Sequence, residues 1–289
     1  MFIAEYADVW RVTTMCRVLE VSRAGYYSWR DRKQSQRAVR DAELTREIRQ
    51  IHTESEAAYG SPRVHAKLRS RGMACARKRV ARLMREDGLK AVIKRRYCVT
   101  TDSKHAGAIA PNLLQRRFAP EAVGEPDSVW VGDITYIRTY EGFVYLATVI
   151  DLYSRRVVGW SMSANRDAGF TVSAMRDAIA SRRPAPGLIF HSDRGKQYAS
   201  SAFLSLLREH GIEPSMSRKG NCYDNAVAES FFGSLKREVI NRRRWPTRSA
   251  ARAAVFTYIE GWYNRRRLHT TLGFRSPEEF EMAAQNQVA

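Results

Sequence analysis

The pattern of hydrophobic and polar positions changes along the chain, and its second half opens with three runs of β-branched and aromatic residues. These runs are VWVGDITYIRT, FVYLATVIDLY and RRVVGWSMS, which lie between residues 128 and 163. Glu141 and Gly142 form a short turn between the first two runs. The pattern predicts three successive strands, paired antiparallel.

Segments with helical and strand patterns then alternate. Short strands are predicted at 187–192 and 212–217, and helices over 167–182, 200–210 and 220–238. The order β-β-β-α-β-α-β-α is typical of a mixed sheet flanked by helices. We therefore predict an α/β fold with its core over residues 128–242, followed by a basic helical segment over 243–289.

The pattern of the first 57 residues predicts helices and no strands. Residues 11–30 have the pattern of two short helices and a turn, with Ser22 as the cap of the second helix. This is the pattern of a helix-turn-helix, or of an ordinary helical hairpin. Residues 31–57 predict one amphipathic helix that serves as a connector.

A second helix-turn-helix-like unit is predicted over residues 58–96. Its first helix begins at Ser61 and Pro62, and Gly72 and Gly88 end its two helices. From Gly60 to Thr100 the chain has 13 Lys and Arg residues and two acidic residues, so we expect this unit to lie against phosphates. Residues 97–127 lack a clear period and predict a linker.

The helix predicted over 220–238 carries two stripes. Its apolar stripe, at helical spacing, consists of Ala228, Phe232, Leu235 and Val239. On the second stripe, Glu229 and Lys236 lie two turns apart with Gly233 between them, which suits the approach of a polyanion and a metal ion. The alternative is an ordinary solvated face. Asp224 or Asn225 is predicted to cap this helix.

The charge of the chain narrows its possible partners. The 289 residues include 49 Lys and Arg and carry a formal net charge of +19. When such a surface binds phosphates, the release of counterions favours the complex, so a nucleic acid is the expected partner. A protein that is merely basic is the alternative.

Several other classes are excluded by composition. The four cysteines and six histidines form no closely spaced pairs, so neither a zinc finger nor a disulfide framework is expected. No apolar run is long enough to span a membrane, and the first residues do not resemble a signal peptide. We therefore expect a cytoplasmic protein.

Three acidic residues are candidates for a metal-binding catalytic site. Asp133 lies in the middle of the first predicted strand, Asp193 ends the fourth, and Glu229 lies on the helix that packs on the sheet. A carboxylate in an apolar strand is costly unless it is paired or binds a cation. Oxygen ligands of this kind suit Mg²⁺ or Mn²⁺, and two such ions can promote phosphodiester chemistry.

Each of these acids also has a simpler interpretation. Asp133 could be satisfied by backbone amides, and Asp193 could cap the turn at Gly195. Asp151 is a rival, because it also follows a hydrophobic strand. We rank Asp151 as structural, since it precedes a Tyr-Ser-Arg turn.

Three motifs together resemble a known family. They are GDITY around Asp133, HSDRG followed by Gln197 and Tyr198, and the stretch from Asn221 through Glu229 to Lys236. They look like the DDE transposases of bacterial insertion sequences, the insertion-sequence-3 family in particular, and the 35 residues between Asp193 and Glu229 match its spacing. The segments YGSPRVHAKL and YNRRRLHTTLGFRSPEEF extend the resemblance across nearly the whole chain.

The resemblance implies a ribonuclease H-like core that cuts and joins DNA at insertion-sequence ends. It implies that Asp133, Asp193 and Glu229 hold two Mg²⁺ ions, for which Mn²⁺ can substitute. Lys236 matches a position that contacts DNA in the family, and His191 and Gln197 would position phosphates or bases. Further DNA contacts are predicted for the arginines and the lysine of the helical segments: Arg63, Arg77, Lys78, Arg79, Arg82, Arg265, Arg266 and Arg267.

The family also implies partners. Double-stranded DNA is both the terminal repeat and the target, and holding two ends requires a dimer or a larger homo-oligomer. The family's full transposase is usually a fusion in which an upstream reading frame supplies a helix-turn-helix and a coiled coil. This chain has no sustained heptad run and resembles the downstream, catalytic frame. The alternatives are a ribonuclease H-like nuclease without strand transfer and a DNA-binding regulator without catalysis.

Overall fold

A mixed five-stranded sheet forms the centre of the computed structural model, which describes residues 2–92, 109–218 and 222–288. The first residues of the predicted linker, with Gly220 and Asn221, lie outside the described residues. The strand order is β3-β2-β1-β4-β5, with β1–β2 and β2–β3 antiparallel and β4 parallel to both β1 and β5. The strands are β1 (Val129–Thr139), β2 (Gly142–Asp151), β3 (Val157–Ser163), β4 (Ile189–Ser192) and β5 (Glu213–Met216). The predicted α/β fold is confirmed.

The pairing of the strands leaves one edge of β1 open. β1 pairs with β2 from Trp130 to Thr139, along nearly its whole length. The short β4 pairs with β1 only from Val129 to Val131. Beyond Val131, the edge of β1 therefore faces the loop that follows β4, and a cleft opens there.

Helices cover both faces of the sheet, because successive residues of a strand point to opposite faces. Trp130 packs with the helices α8 and α9, whereas Val131 packs with α10 and α11. The predicted helices are thus confirmed, with ends that differ by a few residues. Their bounds are α8 (Gly169–Arg182), α9 (Ser201–Glu209), α10 (Ala226–Glu238) and α11 (Arg248–Phe256).

The C-terminal segment departs from a regular helix. Within the basic helical segment predicted over 243–289, α11 is followed directly by a π-helix over Thr257–Tyr263. Tyr258 and Tyr263 are five residues apart and both buried, and the wider π turn brings both rings to the core side. At the start of the last helix, α12 (Pro277–Val288), Ser276 and Glu279 cap each other's backbone N–H groups.

The N-terminal part is helical. Its helices are α1 (Phe2–Glu5), α2 (Val12–Val18), α3 (Arg23–Arg30), α4 (Gln36–Glu54), α5 (Ser61–Ser70) and α6 (Arg77–Glu86), and a short α7 (Pro120–Val123) precedes the sheet. Ser22 accepts a hydrogen bond from the N–H of Gly25, as predicted for a cap. Gly72 and Gly88 follow α5 and α6 with positive φ angles of 78° and 68°, which glycine adopts without strain.

α4 has a larger role than the predicted connector. Leu44 and Ile48 of α4 share one apolar cluster with Val64 and Leu68 of α5 and with residues of α6. The three helices therefore form one packed unit. Across the described residues, no helix combines the length and the apolarity needed to cross a bilayer.

Candidate active site

The open edge of β1 brings two of the three predicted acids together. Asp133 lies on β1 just beyond the last pair with β4, and Asp193 directly follows β4. Because β1 and β4 are parallel neighbours, the chain leaving β4 passes beside Asp133. Both carboxylates line one cleft, together with Gly195 and Gln197.

Two glycines permit this close approach. A Cβ on Gly132 would lie 2.3 Å from the ring of Phe190, so any other residue would push β1 away from β4. The N–H of Gly195 donates a hydrogen bond of 2.9 Å to Oδ1 of Asp193. Asp193 therefore caps its turn, as the simpler interpretation held, and also faces the cleft.

The electrostatics of the cleft centre on Asp133. Burial raises the pKa of Asp133 well above its usual range, and the charges of Asp193 and Glu229 raise it further. The N–H of Ile134, which donates to Oδ1 of Asp133 at 2.8 Å, and the charge of Lys236 act in the opposite direction. Negative charge is thus concentrated here beyond what nearby cations offset.

Glu229 lies near this pair, on the first turn of α10. It is close enough for its charge to raise the pKa of Asp133. Within the described ranges, no three His, Cys, Asp or Glu side chains are grouped as a ready-made metal site. Asp133 and Asp193 are thus the acids that line the cleft itself.

Buried polar atoms without partners surround the carboxylates. In the described part of the chain, Nε2 of Gln197, the hydroxyl of Tyr198 and Oδ1 of Asn225 are buried without a hydrogen-bond partner. Burial raises the pKa of Tyr198, and the carboxylates of Asp133 and Asp193 raise it further. Carboxylate oxygens that repel each other, next to unsatisfied polar atoms, fit a hydrated divalent cation and a phosphate.

Comparison with known proteins identifies the family. The integrase core domain matches residues 124–222, a second integrase core description matches 210–277, and an HTH-like domain matches 39–97. The transposase InsF of insertion sequence IS3A from Escherichia coli (strain K12) is 41% identical over 283 residues, which is 97% of this chain and 97% of InsF. The chain belongs to the IS3 family of transposases. A 31 kDa protein of insertion element IS600 from Shigella sonnei is 42% identical over 266 residues, covering 92% of this chain and 97% of that protein.

Solved structures of more distant proteins also match this transposase. The catalytic core domain of HTLV-2 integrase, determined in complex with magnesium, is 18% identical and covers 55% of this chain and 98% of its own, with a TM-score of 0.42. The family membership and the sheet order agree with the ribonuclease H-like integrase core that the sequence implies. The HTH-like match begins within α4, as the packing of α4 on α5 and α6 explains.

His191 of the transposase lies inside the core. Its ring is fully buried, with Nδ1 2.8 Å from Oγ of Ser215 and Nε2 3.0 Å from the backbone oxygen of Asp224. Burial lowers the pKa of His191, so the ring is neutral at physiological pH. The prediction that His191 contacts DNA is therefore corrected: it ties β4 to β5 and to the start of α10.

Lys236 and Gln197 lie nearer the cleft. Burial lowers the pKa of Lys236, although the charge of Asp133 opposes this effect. Its ammonium nitrogen is 5.3 Å from the ring centre of Tyr136, one of the residues that line the cleft. Gln197 is 3% exposed but lines the cleft. Both side chains therefore lie at or beside the cleft that contains the two carboxylates.

The predicted arginine contacts divide into two groups. Arg77, Lys78, Arg265 and Arg266 are exposed, and Arg63 is half-buried over the ring of Tyr59. Three others have partners within the protein. Arg79 and Arg82 bind the carboxylate of Asp41 at 2.6 and 2.8 Å, and Arg267 is buried against Glu238 at 2.8 Å.

These ion pairs give the second group a structural role. Arg79 and Arg82 join α6 to α4, and their side chains stay 25% and 36% exposed. Arg267 is 3% exposed and has no path to a DNA phosphate. The sequence predicts that all arginines of an arginine-rich run are exposed, because the acidic residue that pairs with a buried one lies far away along the chain.

The loop before α10 contains a structural pair that the sequence misses. Asp224 accepts hydrogen bonds from Arg116 and Arg218, and Nδ2 of Asn225 donates to the backbone oxygen of Gly132 at 3.1 Å. The prediction that either side chain caps α10 is therefore wrong. Instead, Asn225 attaches the start of α10 to β1, one residue from Asp133.

Proposed function

We propose that this transposase cuts DNA at the ends of its insertion sequence and joins the resulting 3′-hydroxyl to a second DNA site. The proposal rests on one observation above all: Asp133 and Asp193 meet in one cleft, at the open edge of β1. Asp133, Asp193 and Glu229 would hold two Mg²⁺ ions, for which Mn²⁺ can substitute. Because its substrates are chromosomal, the reaction is expected in the bacterial cytoplasm.

The bound ions would supply Lewis-acid stabilisation of the entering and leaving oxygens of a phosphodiester. The protein supplies the rest. The raised pKa of Asp133 favours its protonated form until a cation displaces the proton, so cation affinity should increase with pH.

The DNA would be held by groups around the cleft and on the helical units. Lys236 and Nε2 of Gln197 would donate to phosphate oxygens near the acids, and Arg77, Lys78, Arg265 and Arg266 would bind phosphates farther away. Two ends must be held together, so we expect a dimer or a larger homo-oligomer, with the upstream-frame protein as partner or fusion.

Strand transfer tests the proposal directly. A labelled, pre-cut element end would be incubated with plasmid DNA in Mg²⁺ or in EDTA, with wild type, Asp193→Asn and Asp177→Asn. Asp177 is an exposed acid on α8, which makes it a matched control. We expect Mg²⁺-dependent joining that Asp193→Asn abolishes and Asp177→Asn retains, with DNA binding intact in both variants.

The other outcomes separate the alternatives. Cutting without joining would identify a nuclease. Binding without either activity, in this chain and again in the fusion with the upstream frame, would identify a regulator.

A further inference from the structure

Two exposed aromatic rings border the carboxylates. Tyr136 on β1 is 42% exposed and Phe143 on β2 is 45% exposed. Both line the cleft that contains Asp133 and Asp193. Large apolar rings next to a polar site, in contact with water, are typical of a surface that binds a ligand.

The geometry of the two rings defines what they can bind. Tyr136 pairs with Tyr145 in the sheet, so Phe143 lies on the diagonal, and the two rings meet edge to face with centroids 5.3 Å apart. Rings in direct contact leave no slot between them. A flat ligand would therefore pack on the outer surface of the pair.

Positive charges border the same surface. The ammonium of Lys236 lies 5.3 Å from the ring centre of Tyr136, and the exposed Arg166 lines the cleft. A planar apolar surface flanked by cations matches a nucleotide, whose base stacks while its phosphate binds the cation. The adjoining carboxylates place this surface next to the phosphate that reacts.

We propose that Tyr136 and Phe143 form a stacking subsite for one unpaired base that adjoins the scissile phosphate; this inference rests on the proposed function. Stacking uses the face of a base and not its edges, so the subsite accepts any base. A paired base inside a duplex hides its faces. The subsite therefore favours a DNA end whose last base pairs have opened.

A cycle of substitutions in protein and DNA tests the subsite. Affinity for an element end would be measured by fluorescence anisotropy, with Asp193→Asn in every protein so that the DNA stays intact. Each protein would bind the normal end and ends with an abasic nucleotide on either side of the scissile phosphate. We expect Tyr136→Ala to weaken binding of the normal end about tenfold.

The abasic nucleotide should cause the same loss with Tyr136 present and no further loss in Tyr136→Ala. Tyr136→Phe keeps the ring and should retain affinity. Tyr140→Ala is the matched control, because Tyr140 is 70% exposed on the same hairpin and does not line the cleft in the described structure.

Additive losses, an abasic end that binds normally, or an equal loss in Tyr140→Ala would overturn the inference. A strand-transfer assay of the protein with an intact Asp193 distinguishes a failure of the subsite from a failure of the proposed function. If that protein joins DNA and the losses are additive, the subsite alone is refuted. If it neither binds nor joins the end, alone and in the fusion with the upstream frame, the proposed function fails as well.

Discussion

The carboxylates of Asp133 and Glu238 are both withdrawn from bulk water, but their surroundings shift the two pKa values in opposite directions. Glu238 ends α10 and receives hydrogen bonds from Arg267 at 2.8 and 2.9 Å and from the hydroxyl of Tyr258 at 3.0 Å. Burial alone would raise the pKa of Glu238, but Arg267 outweighs it and the pKa is lowered. Asp133 forms no ion pair within the described residues, and its pKa is raised by burial and by two other acids.

The difference distinguishes a structural acid from a functional one. A buried carboxylate with an arginine and further donors is fixed, and it holds the elements around it together. A carboxylate that is enclosed without such a partner is costly to the fold, and this cost is common at sites that await a cation or a substrate. We therefore expect a substitution of Asp133 to act mainly on activity, and a substitution of Arg267, the partner of Glu238, to act mainly on stability.

Asp133→Asn should have the largest effect on activity. We expect strand transfer to fall by about a thousandfold or more, because the cation loses a charged ligand. The free energy of unfolding should rise by about 1 kcal/mol, because burial no longer opposes a charge. Strand-transfer assays and urea denaturation measure the two effects. A loss of stability in Asp133→Asn would show that Asp133 is structural.

Arg267→Met should have the largest effect on stability. It leaves the buried Glu238 with the ion pair to Arg237 at 3.2 Å but without the two hydrogen bonds from Arg267, which costs about 3 kcal/mol in the free energy of unfolding. Arg265→Met is the matched control, since the side chain of Arg265 is 66% exposed, and it should change stability by less than about 0.5 kcal/mol. In urea denaturation, the double variant Arg267→Met/Glu238→Gln should lose less than Arg267→Met alone.

The two acids should also respond to pH in opposite directions. The pKa of Asp133 is raised from 3.8, so its contribution to stability is complete below that pH and is lost as pH rises through the folded pKa. The excess stability of Asp133→Asn over wild type should therefore vanish in acid and grow towards neutral pH.

The pKa of Glu238 is lowered from 4.5, so its contribution is present above that pH and is lost as pH falls through the folded pKa. The deficit of Arg267→Met should therefore shrink in acid. Urea denaturation from about pH 3 to about pH 8 measures both trends. Parallel pH profiles for the two variants would contradict the distinction between the acids.

Gly233→Ala should have a small, stabilising effect. Gly233 lies between Glu229 and Lys236 on α10, and a Cβ there would meet no atom within 4 Å. Alanine should stabilise the helix by about 0.5–1 kcal/mol. Strand transfer should nevertheless fall, because the methyl group occupies a surface that DNA approaches. Gly261→Ala, also in open space, is the control with unchanged activity.

The sequence predicts those parts of the site that depend on local pattern. The strand texture around Asp133 and the strand end before Asp193 are local, so their placement could be predicted. The inward orientation of Arg267 could not, because it depends on Glu238, 29 residues away. Nor could the burial of His191, because two serines of β5 and its flank and a backbone oxygen near α10 enclose it.

Helix ends and irregular turns limit the rest. The π-helix after α11 follows from packing both Tyr258 and Tyr263 inward, which helical periodicity does not specify. The loop at Asp224 has residues that are typical of a helix cap, but the carboxylate of Asp224 forms ion pairs with Arg116 and Arg218 instead. In each case contacts with other parts of the chain determine the local structure, whereas the local sequence pattern predicts a simpler one.

The pairing of Glu238 with Arg267 also has a consequence for synthesis. α10 leaves the ribosome with a carboxylate whose partner is made 29 residues later. The hydroxyl of Tyr59 likewise waits for the backbone of Arg266 and Leu268, to which it is hydrogen-bonded. Since nascent chains fold from the N-terminus, α4, α5 and α6 can pack together before the C-terminal segment fixes them against the sheet domain and fixes the end of α10.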